Sequence, residues 1–193
     1  MSPYVPLLRR RREGTTDYRS RKRVISTAKP LLVVRFSNRN VSSQFVRPTP
    51  KGDKVVSSAN SKELAKLGWR GSPKSTPACY LLGMVAGKKA KEAGVTEAVL
   101  YTGLIPFVKG GRVAAFVKGV IEAGVGVPAG EEVFPPEERL TGSVTAKYAA
   151  ALAKEQKDQY QREFSGLLKA NFRPEDYPKE FEKARTAVLG AKS

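Results

Sequence analysis

The positive charge of this chain, concentrated in its first 75 residues, limits most strongly how the chain can fold. The 193 residues carry 35 Lys and Arg against 18 Asp and Glu, a formal charge of +17. Residues 1–75 hold 18 of the basic and 4 of the acidic side chains, and the remainder is nearly balanced. Because such a surplus opposes compaction by self-repulsion, we expect a polyanionic partner that contacts mainly the N-terminal part.

Nucleic acid is a better candidate for that polyanion than a membrane. The longest apolar stretch, Val99 to Val108, is interrupted by Gly103 and Pro106 and is far shorter than the ~20 residues that span a bilayer. The arginines at 9–12 have no apolar helix face beside them, as an amphipathic membrane helix needs. The first residues also lack the order of a signal peptide. We therefore predict no membrane partner.

The chain has no histidine, and Cys79 is its single cysteine. The commonest general base and metal ligand are therefore missing, and a thiol-rich metal site is excluded. We predict no catalytic residue, no metal, no cofactor and no small-molecule substrate. A lone thiol also suits a reducing, cytoplasmic setting.

The chain is predicted to have three parts. Residues 1–28 form a basic RNA-binding arm, which repulsion should keep poorly ordered until RNA is present. A short helix in this arm, from Asp17 to about Thr27, would be capped by the Asp17 side chain. Residues 29–153 form an α/β RNA-binding domain, and residues 154–193 a helical C-terminal extension whose last helix begins near Pro178.

The pattern within residues 29–153 predicts an α/β fold. Apolar, β-branched segments at 31–36, 41–47 and 54–59 are joined by short polar turns, which is typical of an antiparallel meander. A helix from Ser75 or Thr76 to Gly94 provides the crossover to a buried strand at 97–101. Further helices are expected near 61–68, 112–123 and 143–153. The order of these elements predicts a three-layer α/β/α sandwich on a mixed sheet, of ribonuclease-H-like topology.

Motifs that resemble enzyme sites are weak here. The glycine-rich segment 83–89 lies inside a predicted helix, whereas a phosphate loop follows a strand. The pattern at 124–129 follows a helix and so fails as a dinucleotide site. Metal nucleases of ribonuclease-H-like fold need carboxylates on the first strand and at the end of the fourth, where this chain has Arg35 and Tyr101. Such a nuclease is the alternative function, and we predict that the chain is not an enzyme.

Several basic and aromatic residues are candidates for RNA contacts. Tyr4 and Tyr18 interleave with the arginines of the arm, which permits base stacking beside phosphate contacts. Ser37 and Asn38 lie in a turn between strands and either contact RNA or only close the turn. The Trp69 side chain either is buried in the core or contacts RNA. The predicted RNA-binding residues are Arg9, Arg10, Arg11, Arg12, Tyr18, Arg19, Arg21, Lys22, Arg23, Arg35, Ser37, Asn38, Arg39, Arg47, Arg70 and Lys74.

Ordered sequence blocks over residues 8–150 resemble the ribosomal protein L18 family, in its archaeal and eukaryotic branch. The blocks are LLVVRFSNR at 31–39, SKEL at 61–64, GWRG at 68–71, TPACYL at 76–81, EAVL at 97–100, KGVIEAG at 118–124 and EVFP at 132–135. Two positions depart from the family pattern, because the family often has His where Asn40 stands and Asp where Tyr101 stands.

The resemblance implies a structural protein of the large ribosomal subunit in the cytoplasm. Its expected main partner is 5S rRNA, which the protein would help to attach to the large-subunit rRNA in the central protuberance. Neighbouring large-subunit ribosomal proteins are further expected partners. The family's ribonuclease-H-like sandwich agrees with the order of elements, and its RNA-facing arm and first sheet face correspond here to residues 9–12, 18–23 and 35–39.

Overall fold

A computed structural model describes residues 6–7, 9–49 and 52–190 and has a four-stranded mixed sheet. The strands are β1 (Leu31–Phe36), β2 (Val41–Thr49), β3 (Gly52–Asn60) and β4 (Val99–Tyr101). Their order in the sheet is β3-β2-β1-β4. β2 pairs antiparallel with β1 and β3, and β4 pairs parallel with β1. The predicted α/β class, with its meander and mixed sheet, is confirmed.

Helices follow the predicted pattern from the arm to the C-terminal part. They are α1 (Arg9–Arg12), α2 (Tyr18–Ile25), α3 (Lys62–Lys66), α4 (Thr76–Glu92), α5 (Arg112–Glu122), α6 (Glu137–Thr141), α7 (Ser143–Glu155), α8 (Lys157–Glu163), α9 (Ser165–Lys169) and α10 (Tyr177–Gly190), with short 3-10 turns at Glu131–Val133 and Pro174–Asp176. No helix of the described ranges has the length and apolar character that crossing a bilayer requires.

β2 is two residues longer than predicted, although Pro48 has no backbone N–H to donate to a neighbouring strand. The pairing of β2 with β1 ends at Val46, so from there onward β2 has a partner only on the β3 side. A proline is tolerated where one side of a strand is unpaired. The hairpin therefore continues to Thr49, which pairs with Gly52.

α4 and α5 cover one face of the sheet and form the main core with it. Leu32, Val34 and Phe45 point into this core from the strands. α4 begins after Ser75, whose hydroxyl accepts the Ala78 N–H at 3.4 Å. The two helices cross in backbone contact, because a Cβ on Gly83 would lie 2.1 Å from the carbonyl oxygen of Phe116. The segment 83–89 is thus a site of helix packing, not a phosphate loop.

α2 covers part of the opposite face and supplies the third layer. Leu31, Val46 and Tyr101 form a second buried cluster on this face, and Val24 of α2 packs against it. The Asp17 carboxylate caps α2 by accepting the N–H groups of Arg19 and Ser20, as the sequence predicts. The arm residues 18–25 therefore lie on the sheet, and their lack of order without RNA stays a prediction.

The C-terminal helices bury apolar side chains in two places, the main core and a separate cluster. Phe181, Ala184 and Val188 of α10 lie in the main core, on the single face that their spacing predicts. Ala149, Leu152 and Phe164 form a separate small cluster among α7, α8 and α9. The division at residue 153 stays a prediction, although α10 shares its core with the sheet.

Candidate nucleic-acid interface

Arg35 and Tyr101 lie side by side at the carboxyl ends of β1 and β4. The Arg35 guanidinium donates from Nη1 to the Thr102 carbonyl oxygen at 2.5 Å, and its central carbon is 5.9 Å from the centroid of the Tyr101 ring. Gly103 permits this approach, because a Cβ there would lie 2.8 Å from Arg35 Nη1. A metal nuclease of this fold would carry carboxylates at these two positions. The described ranges contain no group of three or more residues suited to hold a metal.

Arg21 of α2 approaches the same tyrosine from the arm. Its guanidinium carbon is 5.9 Å from the Tyr101 centroid, and its Nη2 lies 2.5 Å from Asp53 Oδ1. The side chains of Arg21 and Asp53 are only 25% and 29% exposed. The hydrogen bond from Arg21 to Asp53 raises the pKa of Arg21 against the opposing effect of burial, so Arg21 stays charged at neutral pH.

Arg10 of α1 completes a cavity of about 330 Å³ between the arm and the sheet. Its Nε donates to Thr16 Oγ1 at 3.0 Å, which ties α1 to the start of α2. We call this space the arginine cavity. It is lined by Arg10, Thr15, Thr16, Asp17, Arg21, Arg35, Tyr101, Gly103, Leu104 and Ile105.

The other predicted basic residues of the arm do not line this cavity. The arginines at 9, 11, 12, 19 and 23, and Lys22, are exposed, and Arg9 pairs with Glu13 at 2.7 Å. Tyr18 is 38% exposed and available for stacking. Tyr4 lies outside the described residues. The arm thus presents cations on its solvent side as well as towards the sheet.

Ser37 closes the turn between β1 and β2. Its hydroxyl accepts the Asn40 N–H at 2.9 Å and donates to the Asn40 carbonyl oxygen at 2.8 Å. The side chain of Asn40 accepts from the Ser61 hydroxyl at 3.3 Å. Asn38 and Arg39 are exposed at the tip of this turn. The turn interpretation of Ser37 is therefore supported, whereas Asn38 and Arg39 can reach a ligand.

Arg47 is exposed near the β2–β3 hairpin and faces Lys54 directly across the strands. It follows Val46, the last residue of β2 that pairs with β1, and its side chain is solvated. Like charges directly opposed across a sheet are destabilising. An anionic ligand would relieve this repulsion.

Trp69 belongs to the core and does not contribute to the surface. It is 4% exposed, its Nε1 donates to the Ser72 carbonyl oxygen, and its ring centroid is 5.8 Å from that of Tyr177. Arg70 beside it is exposed, and Lys74 is half-buried. These two residues lie outside the lining of the arginine cavity.

Arg112 is a basic candidate that the sequence reasoning missed. Its guanidinium carbon lies 5.0 Å from the centroid of the Phe36 ring, just before the turn at 37–40. Arg112 and Lys74 lower the pKa of Cys79, but burial dominates and raises that pKa to about 12. A cation in the first turn of a helix is unfavourable, because the helix dipole places partial positive charge there. The position of Arg112 at the start of α5 therefore indicates a role other than stability.

The fold and this surface define a class of protein: a basic α/β sandwich that presents cations on both its arm and its sheet. Two comparisons with known proteins agree with this class. A family described as "Ribosomal large subunit proteins 60S L5, and 50S L18" matches residues 4–93. The large ribosomal subunit protein uL18 of Thermofilum pendens (strain DSM 2475 / Hrk 5) is 45% identical over 184 residues, covering 95% of this chain and 93% of that protein.

The chain belongs to this family of large-subunit ribosomal proteins. The resemblance seen in the sequence is therefore confirmed. The protein has a structural role in the large ribosomal subunit, with ribosomal RNA and ribosomal proteins as its partners.

Proposed function

We propose that this protein binds 5S rRNA and helps to attach it to the large-subunit rRNA in the central protuberance of the cytoplasmic ribosome. The observation that carries the proposal is the distribution of arginines. Exposed cations lie on α1 and α2, at Arg35 of β1 and in the turn at 37–40, and the arm meets Arg35 at one cavity on the sheet.

The arm and the sheet have different tasks in this proposal. The exposed arginines of α1 and α2 contact phosphates, which carry little sequence information. Arg35 and Arg39 lie on or beside a strand that is fixed by the sheet, so they are better placed to contact a particular RNA shape. Affinity comes mainly from the arm, and preference mainly from the sheet.

The protein is not expected to act as a nuclease. In the ribonuclease-H-like arrangement, Arg35 and Tyr101 occupy the positions that carboxylates need. An arginine there attracts phosphate but repels Mg²⁺. Incubation of labelled 5S RNA with the protein and Mg²⁺ or Mn²⁺ is expected to leave the RNA intact. Cleavage that appears only when Mg²⁺ or Mn²⁺ is added would support the nuclease instead.

The proposed ligand can be tested without choosing an RNA in advance. The tagged protein is mixed with total RNA of an archaeon at about 0.15 M salt, where weak phosphate contacts are screened, and the captured RNA is sequenced. We expect 5S rRNA to be enriched over its input share. An RNA profile that matches the input would contradict the proposal.

A further inference from the structure

The arginine cavity lies between segments that are far apart in the sequence. Arg10 and Arg21 come from the arm, Arg35 comes from β1, and Tyr101 with Gly103 comes from the end of β4. We infer that this cavity holds one phosphate group, and that the phosphate fixes the arm on the sheet. The inference rests on the proposed function in so far as the phosphate is supplied by RNA.

The charges that line the cavity are incompletely neutralised. Asp17 is its acidic residue, and the Asp17 carboxylate already accepts the N–H groups of Arg19 and Ser20. Arg21 is paired with Asp53. By contrast, the hydrogen bonds of Arg10 and Arg35 go to neutral oxygens, those of Thr16 and Thr102. Among the residues that the structure describes, these two guanidinium groups of the cavity therefore have no carboxylate partner.

A phosphate group matches the donors that remain. A guanidinium has five N–H donors, and Arg10 and Arg35 each use one of them on these neutral oxygens. The planar fork of a guanidinium binds two oxygens of a phosphate at once. A cavity of about 330 Å³ has room for a phosphate together with an attached sugar.

Phosphate binding and the position of the arm are coupled by this geometry. Arg10 and Arg21 of the arm repel Arg35 of the sheet, which opposes the apolar contact that Val24 makes with the sheet. An anion between them converts this repulsion into attraction. Because the ligand contacts both parts only when the arm lies on the sheet, it stabilises that arrangement by mass action.

Arg11 provides a matched control for Arg10. It is exposed in the same helix, carries the same charge and does not line the cavity. Arg10→Gln and Arg11→Gln change the net charge equally, so general attraction to RNA falls equally in both. A difference between these variants therefore reports the cavity itself. Arg35→Gln removes the cation on the sheet side. Arg35→Lys keeps the charge but lacks the planar guanidinium group that can bind two phosphate oxygens at once.

The first test measures amide hydrogen exchange of the full chain by mass spectrometry. Inorganic phosphate is compared with sodium chloride at equal ionic strength. In the wild type and in Arg11→Gln, we expect phosphate to slow exchange across residues 9–25. In Arg10→Gln and Arg35→Gln, we expect this slowing to be absent, with unchanged exchange in α4 and α5 showing that the fold is intact. Equal protection in all variants, or no difference between phosphate and chloride in the wild type, would overturn the inference.

The second test finds the source of the phosphate. Binding of 5S RNA is measured for each variant with a phosphorylated and with a dephosphorylated 5′ end. We expect Arg10→Gln to bind roughly tenfold or more weakly than Arg11→Gln, the scale of one charge-assisted hydrogen bond. A difference with both RNAs identifies an internal phosphate, and a difference only with the phosphorylated end identifies the terminus. Equal affinity of the two variants for both RNAs contradicts the inference.

The two tests separate this inference from the proposed function. Protection by inorganic phosphate needs no RNA, so it can be present even if the protein shows no preference for 5S rRNA. Conversely, the protein could prefer 5S rRNA clearly while Arg10→Gln and Arg11→Gln behave alike. That result would support the proposed function and contradict the phosphate site.

Discussion

Replacing Gly83 by alanine tests the crossing of α4 and α5, on which the position of the sheet depends. The new Cβ would lie 2.1 Å from the Phe116 carbonyl oxygen, whereas real Cβ atoms essentially never approach closer than 3.0 Å. The helices must therefore separate by about 0.9 Å at this point. Because the obstacle is backbone, a side-chain rotation cannot relieve it.

The expected decrease in stability follows from two opposing effects. Overpacking of a core costs about 1–3 kcal/mol, and a backbone clash belongs at the upper end of this range. Alanine regains up to about 1 kcal/mol through its higher helix propensity. We expect the free energy of unfolding of Gly83→Ala to fall by about 2 kcal/mol, the difference of these two effects, as measured by urea denaturation.

Gly166→Ala is the matched control for this measurement. Gly166 also lies within a helix, but a Cβ there meets no atom within 4 Å. This variant should be stabilised by up to about 1 kcal/mol. If Gly83→Ala unfolds at the same urea concentration as the wild type, the helix crossing is wrong.

Three further predictions concern RNA binding and the thiol. Deletion of residues 1–25 should weaken binding to all RNAs and flatten the salt dependence of that binding. The double variant Arg35→Ala, Arg39→Ala should instead reduce the preference for 5S rRNA, by roughly 1–3 kcal/mol for each specific RNA contact that the substitutions remove. If the deletion abolishes the preference and the double variant keeps it, the roles of arm and sheet are reversed. RNA affinity should be constant between about pH 5.5 and 7.5, because no histidine titrates there, and a change of about tenfold with intact RNA would refute this. Burial raises the pKa of Cys79 to about 12, so iodoacetamide at about pH 8 should label the native protein far more slowly than the unfolded one; equal rates would show that the thiol is exposed.

Local sequence patterns are sufficient to predict the elements of the sheet. β1 has the predicted bounds, because an apolar, β-branched run ends at a turn whose Ser37 hydroxyl bonds to Asn40. The cap of α2 by Asp17 is also a local interaction, two and three residues apart. Such features depend on neighbouring residues and are therefore readable without the fold.

Contacts between distant segments cannot be predicted in this way. The sequence allows Trp69 either in the core or on the surface, and only its contact with Tyr177 decides the question. Ser61 stands just before α3, where a serine often caps a helix, but its side chain accepts the N–H of Val41, twenty residues away. The same reason applies to the arginine cavity. The arm and Arg35 are both predicted to contact RNA, but their meeting at Tyr101 depends on the parallel pairing of β1 with β4.

The preference for 5S rRNA over another folded RNA of similar size is the central claim, and a competition assay measures it directly. The protein is bound to labelled 5S rRNA at about 0.15 M salt, where weak phosphate contacts are screened, and is then challenged with unlabelled 5S rRNA or unlabelled transfer RNA. We predict that 5S rRNA displaces the label at a far lower concentration than transfer RNA does. Displacement by both RNAs at the same concentration would contradict the account, since the basic surface would then be a general binder of polyanions.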